Sequence, residues 1–310
     1  MKAINPVNQC VYCGDLTGPF SKEHIIPKGL AGTWTLPKSS CEKCAAITSE
    51  FELKCLRGMF GGLRTHLEFP TRRKSQRPTE LPVWIENDKG VNQVDTPIPD
   101  HPHLLILPEF SIPQCFTGQV SKETKLRYRF LNYLPDAGKR VENLSEDGKV
   151  QMRNLMPIPA FIRLLAKVGH CFAVGEFGVD TFEHFLPDII LGKGDKIPFE
   201  WIGGYPDNYP AFELPDIKIT HKQAEDGSAI IVKEGQAHQF QFLLASTGKI
   251  SVQPLLMVAI RLFAILKAAP YLVVVGTCKD NFPFEKVPNL SRPIERLLIG
   301  LTGFEPTSSF

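Results

Sequence analysis

Two Cys-x-x-Cys pairs, Cys10/Cys13 and Cys41/Cys44, stand near the start of the chain with 27 residues between them. Each pair can present two thiolates to one ion from a single turn. Four thiolates complete the tetrahedron that Zn²⁺ takes in structural sites. A segment this short cannot hold itself together by apolar burial alone, so a zinc ion at Cys10, Cys13, Cys41 and Cys44 would tie its two ends. The expected role is structural, because four protein ligands leave no open position for chemistry. The other cysteines, Cys55, Cys115, Cys171 and Cys278, are scattered without ligand spacing. Residues 1–10 are polar and lack the apolar stretch of a secretion signal, so a cytoplasmic protein is expected, in which paired cysteines point to metal more than to disulfides.

The chain has 310 residues, of which 43% are hydrophobic, enough for a full core and for two domains. Net charge is only +2, so no global basic field announces a nucleic-acid partner. The charge is uneven, however: residues 1–78 hold 12 Lys and Arg against 6 Asp and Glu, and the remainder is mildly acidic. The most apolar stretches, 155–174 and 252–275, are interrupted by Arg163, Lys167 and His170 and by Arg261, Lys267 and Pro270. They read as buried elements and not as membrane spans.

The expected fold class is α+β. Residues 1–62 form a zinc-bound unit, residues 63–80 a basic arm or linker, and residues 81–310 a larger mixed α/β domain. In the first unit, 22–26 reads as a short strand ending at Pro27 and 34–36 as a second. The segment 44–56 reads as a helix, with Ile47, Phe51 and Cys55 on one face, and Gly58, Gly61 and Gly62 end or kink it. Further on, 157–172 carries helical spacing, 239–253 alternates like strands, 254–268 reads as helix, 271–275 as a buried strand and 293–300 as a last helix.

Between the knuckles lies Ser21-Lys-Glu-His-Ile-Ile-Pro27. On Cys10, Cys13, Glu23, His24, Pro27, Gly32, Cys41 and Cys44 the chain resembles the HNH endonucleases, the ββα-metal nucleases. The closest likeness is to the branch in which two zinc knuckles frame an acidic-His-Ile-Ile-Pro strand. The resemblance covers residues 10–57. It implies DNA as partner and Mg²⁺ or Mn²⁺ as catalytic ion. It also implies Glu23 as metal ligand, His24 as general base, and products with 5′-phosphate and 3′-hydroxyl ends. The residue types suit that chemistry. An imidazole titrating near ~6.5 can activate water at neutral pH, and a carboxylate suits a hard divalent ion that also takes phosphate oxygens and water. Neighbouring strand residues point to opposite sides, so a bend or bulge is needed for Glu23 and His24 to share a site. For an isolated histidine, a capping or core role is the commoner one.

One departure stands out. Where the family places Asn after the last knuckle cysteine, this chain has Ala45. Positions 45, 48, 49 and 52 lie near one helix face, so Glu52 is the expected second metal ligand, with Thr48 as a hydroxyl contact. The alternative for Glu52 is a solvated residue paired with Lys54 or Arg57. Arg57, Arg64, Arg72, Arg73, Lys74 and Arg77 follow and are expected to contact DNA phosphates, the alternative being a solvated linker. Arg163, Lys167 and His170 either line a polar pocket or pair within a core. No phosphate-binding Gly-rich loop or other sign of a small-molecule cofactor is present. The C-terminal part could dimerise or bind a partner. A zinc-stabilised module that binds DNA or protein without cleaving is the competing reading, and Ala45 is its best support.

Overall fold

The computed structural model describes residues 4–71, 74–117, 127–132, 136–145, 148–151, 157–193, 198–206, 217–223, 229–245, 253–289 and 291–302. The chain opens with β1 (Phe20–His24), β2 (Thr35–Cys41) and α1 (Glu42–Arg57), followed by the short α2 (Gly61–His66). The expected ββα order is therefore present. The first knuckle turn closes with Gly14 at φ +73°, the left-handed conformation that glycine tolerates. The α1 helix ends at Arg57, where the Gly58 amide bonds the Lys54 carbonyl.

Next come β3 (Glu80–Asn87), β4 (Gly90–Pro97), β5 (Leu104–Glu109), α3 (Gln114–Thr117), β6 (Arg127–Asn132), α4 (Ala137–Ser145) and β7 (Lys149–Gln151). Here β3 is the middle strand of a three-stranded antiparallel sheet, between β4 and β7, while β5 and β6 form a separate pair. The rest comprises α5 (Ile158–Phe177), β8 (Phe182–His184), α6 (Pro187–Leu191), β9 (Ile202–Gly204), β10 (Ile217–Gln223), β11 (Ala229–Ala245), β12 (Leu255–Leu262), β13 (Tyr271–Cys278) and β14 (Ser291–Thr302). These strands build a seven-stranded antiparallel sheet in the order β10-β11-β12-β13-β8, with β14 also on β11 and β9 on β13.

Two expectations are corrected. The 254–268 segment is strand β12 followed by a 3-10 turn, and 293–300 lies in strand β14. Along β12 both faces are buried. Leu256, Val258 and Ile260 join the main core, and Leu255, Met257 and Ala259 join a second cluster with Leu272 and Val274. Continuous apolarity hides the two-residue period of such a strand.

The α5 helix positions the functional site. It is apolar on nearly every side and mostly buried, as expected of a helix enclosed by other elements. By length and composition it could cross a membrane, but 78% of its most apolar window is buried inside the protein. It packs on β12 and β13 and also on α1. At Gly169 a side chain would press on Val273, and at Gly175 on Leu36. One continuous hydrophobic cluster runs from Cys10 through Phe51, Phe60 and Phe161 to Val287, so the core crosses the boundaries expected at residues 62 and 80. Several polar contacts pin the N-terminal unit to the rest, three of them at its knuckle and at Leu30. His170 Nε2 lies 2.8 Å from the Val11 carbonyl, the Tyr12 hydroxyl 3.2 Å from Cys171 Sγ, and His238 Nε2 2.8 Å from the Leu30 carbonyl.

The segment expected to be a basic arm is tied down where it is described. Arg64 donates from Nε to the Gly29 carbonyl at 2.6 Å and from Nη1 to the Leu56 carbonyl at 2.9 Å. Arg77 donates to the carbonyls of Arg64 and Thr65, each at 3.2 Å, and of Phe69 at 2.9 Å. These guanidiniums serve as staples between the ends of α1 and α2 and the neighbouring turns, because carbonyls drawn away from water need partners.

Candidate functional site

The four knuckle cysteines come together. Their sulfurs lie within 4.8 Å of one another, and among the described residues they are the one group of three or more metal-capable side chains that does so. Cys13 Sγ and Cys41 Sγ are 3.8 Å apart, close to the ~3.8 Å separation that Zn–S bonds of ~2.3 Å give across a tetrahedral edge. The knuckle turn and the start of α1 supply the two halves: the Cys10 amide bonds the Asp15 carbonyl at 2.8 Å, and Cys41 is the residue that caps α1. Burial, then the neighbouring cysteines, raise the Cys44 thiol pKa; a bound cation would reverse that preference by stabilising thiolates. The cluster can hold a zinc ion.

The Glu-His pair sits on β1 beside a ladder irregularity. Register jumps between Ser21, opposite Ser40, and Glu23, opposite Leu36. The extra residues belong to β2, where Lys38 has φ +48°. The expected bulge therefore exists, one step before the pair and mainly on the partner strand. It leaves Glu23 buried and His24 half-buried, with both lining one cleft.

That cleft, about 1590 Å³, is walled by β1, α1, α2 and the start of β3. Glu23, His24, Thr48 and Glu52 line it, as do Lys22, Lys28, Arg57 and Arg64. Of the expected phosphate contacts, Lys74 and Arg77 are not among the lining residues, and Arg72 and Arg73 lie outside the described residues. Arg57 is exposed, whereas Arg64 is engaged with backbone as described above. Lys22 and Lys28, both exposed, were not singled out in the sequence. Their place beside the Glu-His motif was the available signal.

Glu23 and Glu52 converge, and what they converge on is Lys167. Its ammonium, fully buried on α5, lies 2.9 Å from Glu23 Oε1 and 2.7 Å from Glu52 Oε1. It also donates to the carbonyls of His24 and Ile25. Of the two openings left for Glu52, a pairing with Lys54 is not observed: Lys54 pairs with Glu50 at 2.7 Å. Of the two left for Lys167, the core pairing is observed. Burial works against the Lys167 charge, but Glu23 and Glu52 outweigh it and raise its pKa above the usual lysine value. Glu52 shifts in the opposite sense for a salt-bridge partner. Burial raises its pKa, Lys167 lowers it, and the nearby Glu23 raises it again. Two carboxylates share one ammonium, so the lysine is fully compensated and Glu52 bears the desolvation cost.

His24 is biased toward the neutral imidazole. Burial lowers its pKa first, then Lys167 and Lys22, while Glu23 opposes them. Its Nδ1 is buried with no hydrogen-bond partner among the described residues. Thr48 donates its hydroxyl hydrogen to the Ala45 carbonyl at 3.2 Å, an internal helix bond.

The fit to a divalent ion can be judged from these donors. Each carboxylate gives Oε1 to Lys167, and both line the cleft. Two carboxylates face one ammonium, and Ala45 contributes no ligand. Such a set suits an ion that takes one or two carboxylates and fills its other positions with water and phosphate oxygens, as Mg²⁺ does. It does not suit an ion needing a complete protein cage.

Comparison with protein-family models, with curated proteins and with solved structures found no match to this chain.

Proposed function

We propose that the cleft hydrolyses phosphodiester bonds of nucleic acid, with His24 as general base, inside a unit held together by a zinc ion on Cys10, Cys13, Cys41 and Cys44. The observation that carries this reading is the convergence of Glu23, His24 and Glu52 on one basic-walled cleft. His24 is biased toward the neutral imidazole and lines the cleft, and a base that takes a proton from an attacking water must be both unprotonated and within its reach. Lys22, Lys28 and Arg57 supply charge for the phosphate backbone. Glu23 and Glu52 would hold a Mg²⁺ or Mn²⁺ ion, which would supply Lewis-acid stabilisation of charge on the phosphoryl and leaving oxygens. Lys167 fixes the backbone at His24 and Ile25 and ties both carboxylates to one ammonium in a buried setting.

A second reading is favoured by the same lysine. An ammonium already bonded to both carboxylates, together with Ala45 in place of an amide ligand, supports a zinc-stabilised module that binds nucleic acid or protein without cutting. The two readings separate in a supercoiled-plasmid assay with Mg²⁺ or Mn²⁺. Nicking by the wild type and its absence in Glu23→Gln at equal zinc content supports hydrolysis. An intact plasmid, with binding that weakens in salt, supports the binding module.

A further inference from the structure

We propose that the cleft takes a single-stranded polynucleotide, with an unpaired base stacked on Trp84 and the strand running on through the same cleft past His24. This rests on the phosphodiester reading for its use, and its test does not depend on cleavage. Trp84 lies on β3, where Val83 and Ile85 are buried in the small sheet. Side chains alternate along a strand, so Trp84 and Pro82 share the other face, and both line the cleft that holds Glu23 and His24. Trp84 is paired through its backbone to Gln93 on one side and Gln151 on the other, which fixes the backbone from which the indole projects. Its ring is half-buried and makes no ring contact or hydrogen bond with another described side chain. Among the described residues, it is the only Trp, Tyr or Phe lining the cleft.

The cleft thus combines cations on the β1 and α1 side with an unpartnered aromatic plane on the β3 side. A cationic track with an aromatic platform is how single strands are bound, because every base offers a π-face once it is unpaired. In a duplex those faces are covered by neighbouring pairs. The volume, about 1590 Å³, exceeds the roughly 300–1,000 Å³ usual for one small ligand, which fits a polymer segment better than a free nucleotide.

The test is fluorescence anisotropy with the zinc-loaded full chain and no added divalent ion. The probes are one sequence as single-stranded DNA, as single-stranded RNA, as duplex DNA, and as a DNA strand carrying abasic sites. Single strands should bind the wild type at least about ten-fold tighter than duplex or abasic strand. Trp84→Ala should lose roughly ten-fold on the single strand and little on the abasic strand, and Trp84→Phe should recover most of the loss, on the scale of one base stacked on an aromatic ring. A preference between the DNA and RNA arms identifies which polymer is held. Duplex preference, equal binding of the abasic strand, or equal losses on both strands in Trp84→Ala overturns the proposal. If Trp84→Ala does not fold, the abasic comparison on the wild type decides alone. Trp84-dependent binding to a strand that then stays uncut with Mg²⁺ or Mn²⁺ would leave this proposal standing and remove the hydrolytic one. Binding to no polynucleotide would remove both.

Discussion

The ammonium of Lys167 lies 2.7 Å from Glu52 across the contact between α5 and α1, and it bonds Glu23 on β1 at the same time. A residue from the body of the chain thereby sets the placement of both acidic groups in the cleft. Removing one partner of a buried ion pair leaves uncompensated charge, at a cost of about 3–5 kcal/mol. Lys167→Met should therefore lower the midpoint of chemical denaturation strongly. Lys54→Met, which deletes a surface pair whose side chains are 58% and 69% exposed, should change stability by less than about 1 kcal/mol. Equal effects of the two substitutions would contradict the assignment.

The zinc assignment predicts a stoichiometry. The purified chain should carry one zinc ion by elemental analysis. Cys41→Ser should lose it and destabilise β1, β2 and α1, since metal binding and folding of such a unit are linked. Cys115→Ser, at a cysteine outside the cluster, should keep full zinc content.

Buried histidines give the fold an acid dependence, and His238 and His170 are the most deeply buried of them. Burial holds His238 at about 4 and His170 at about 3, against the usual ~6.5. In the unfolded chain both would take up protons near the usual value, so the stability tied to their neutral forms is complete above pH ~6.5. It is lost progressively as pH falls toward their folded values. For His238 the loss is on the order of 3 kcal/mol across that window. Urea midpoints should fall between pH 7 and pH 5, and His238→Gln should make that fall shallower.

The arginines divide by what they touch. Arg57 is exposed in the cleft wall, so Arg57→Ala should weaken polynucleotide binding and reduce the slope of log affinity against log salt by about one, with stability unchanged. Arg64 is bonded to the Gly29 and Leu56 carbonyls, so Arg64→Ala should destabilise the fold by about 1–3 kcal/mol, the cost of leaving buried acceptors unmet.

What could be read in the sequence was local. The knuckle spacing and the apolar face of α1 each sit within a short window, and each has its expected structural counterpart; the Glu23-His24 motif is equally local, and its two side chains line one cleft. Gly32, part of the motif pattern, has a plain physical reason: a side chain there would run into the Ile26 carbonyl. What escaped was non-local or masked by composition. Lys167 meets Glu52 across 115 positions of sequence, and nothing in linear spacing names that partner. Trp84 sits in an ordinary strand pattern, and only the fold brings it to the cleft. The β12 strand has two buried faces, and an apolar run without alternation reads equally as helix. In β14, Ile294, Leu297 and Leu298 have helical spacing, but the chain there pairs with β11.

The most direct test of hydrolysis by an imidazole in this cleft is the single-turnover rate of strand cleavage with Mn²⁺ or Mg²⁺, wild type against His24→Ala, at matched zinc content and matched affinity for the strand. Loss of the base should slow cleavage by about 10²–10⁴-fold while binding and zinc are retained. Equal rates, or a zinc-loaded wild type that binds the strand and never cuts it with either ion, would contradict the account.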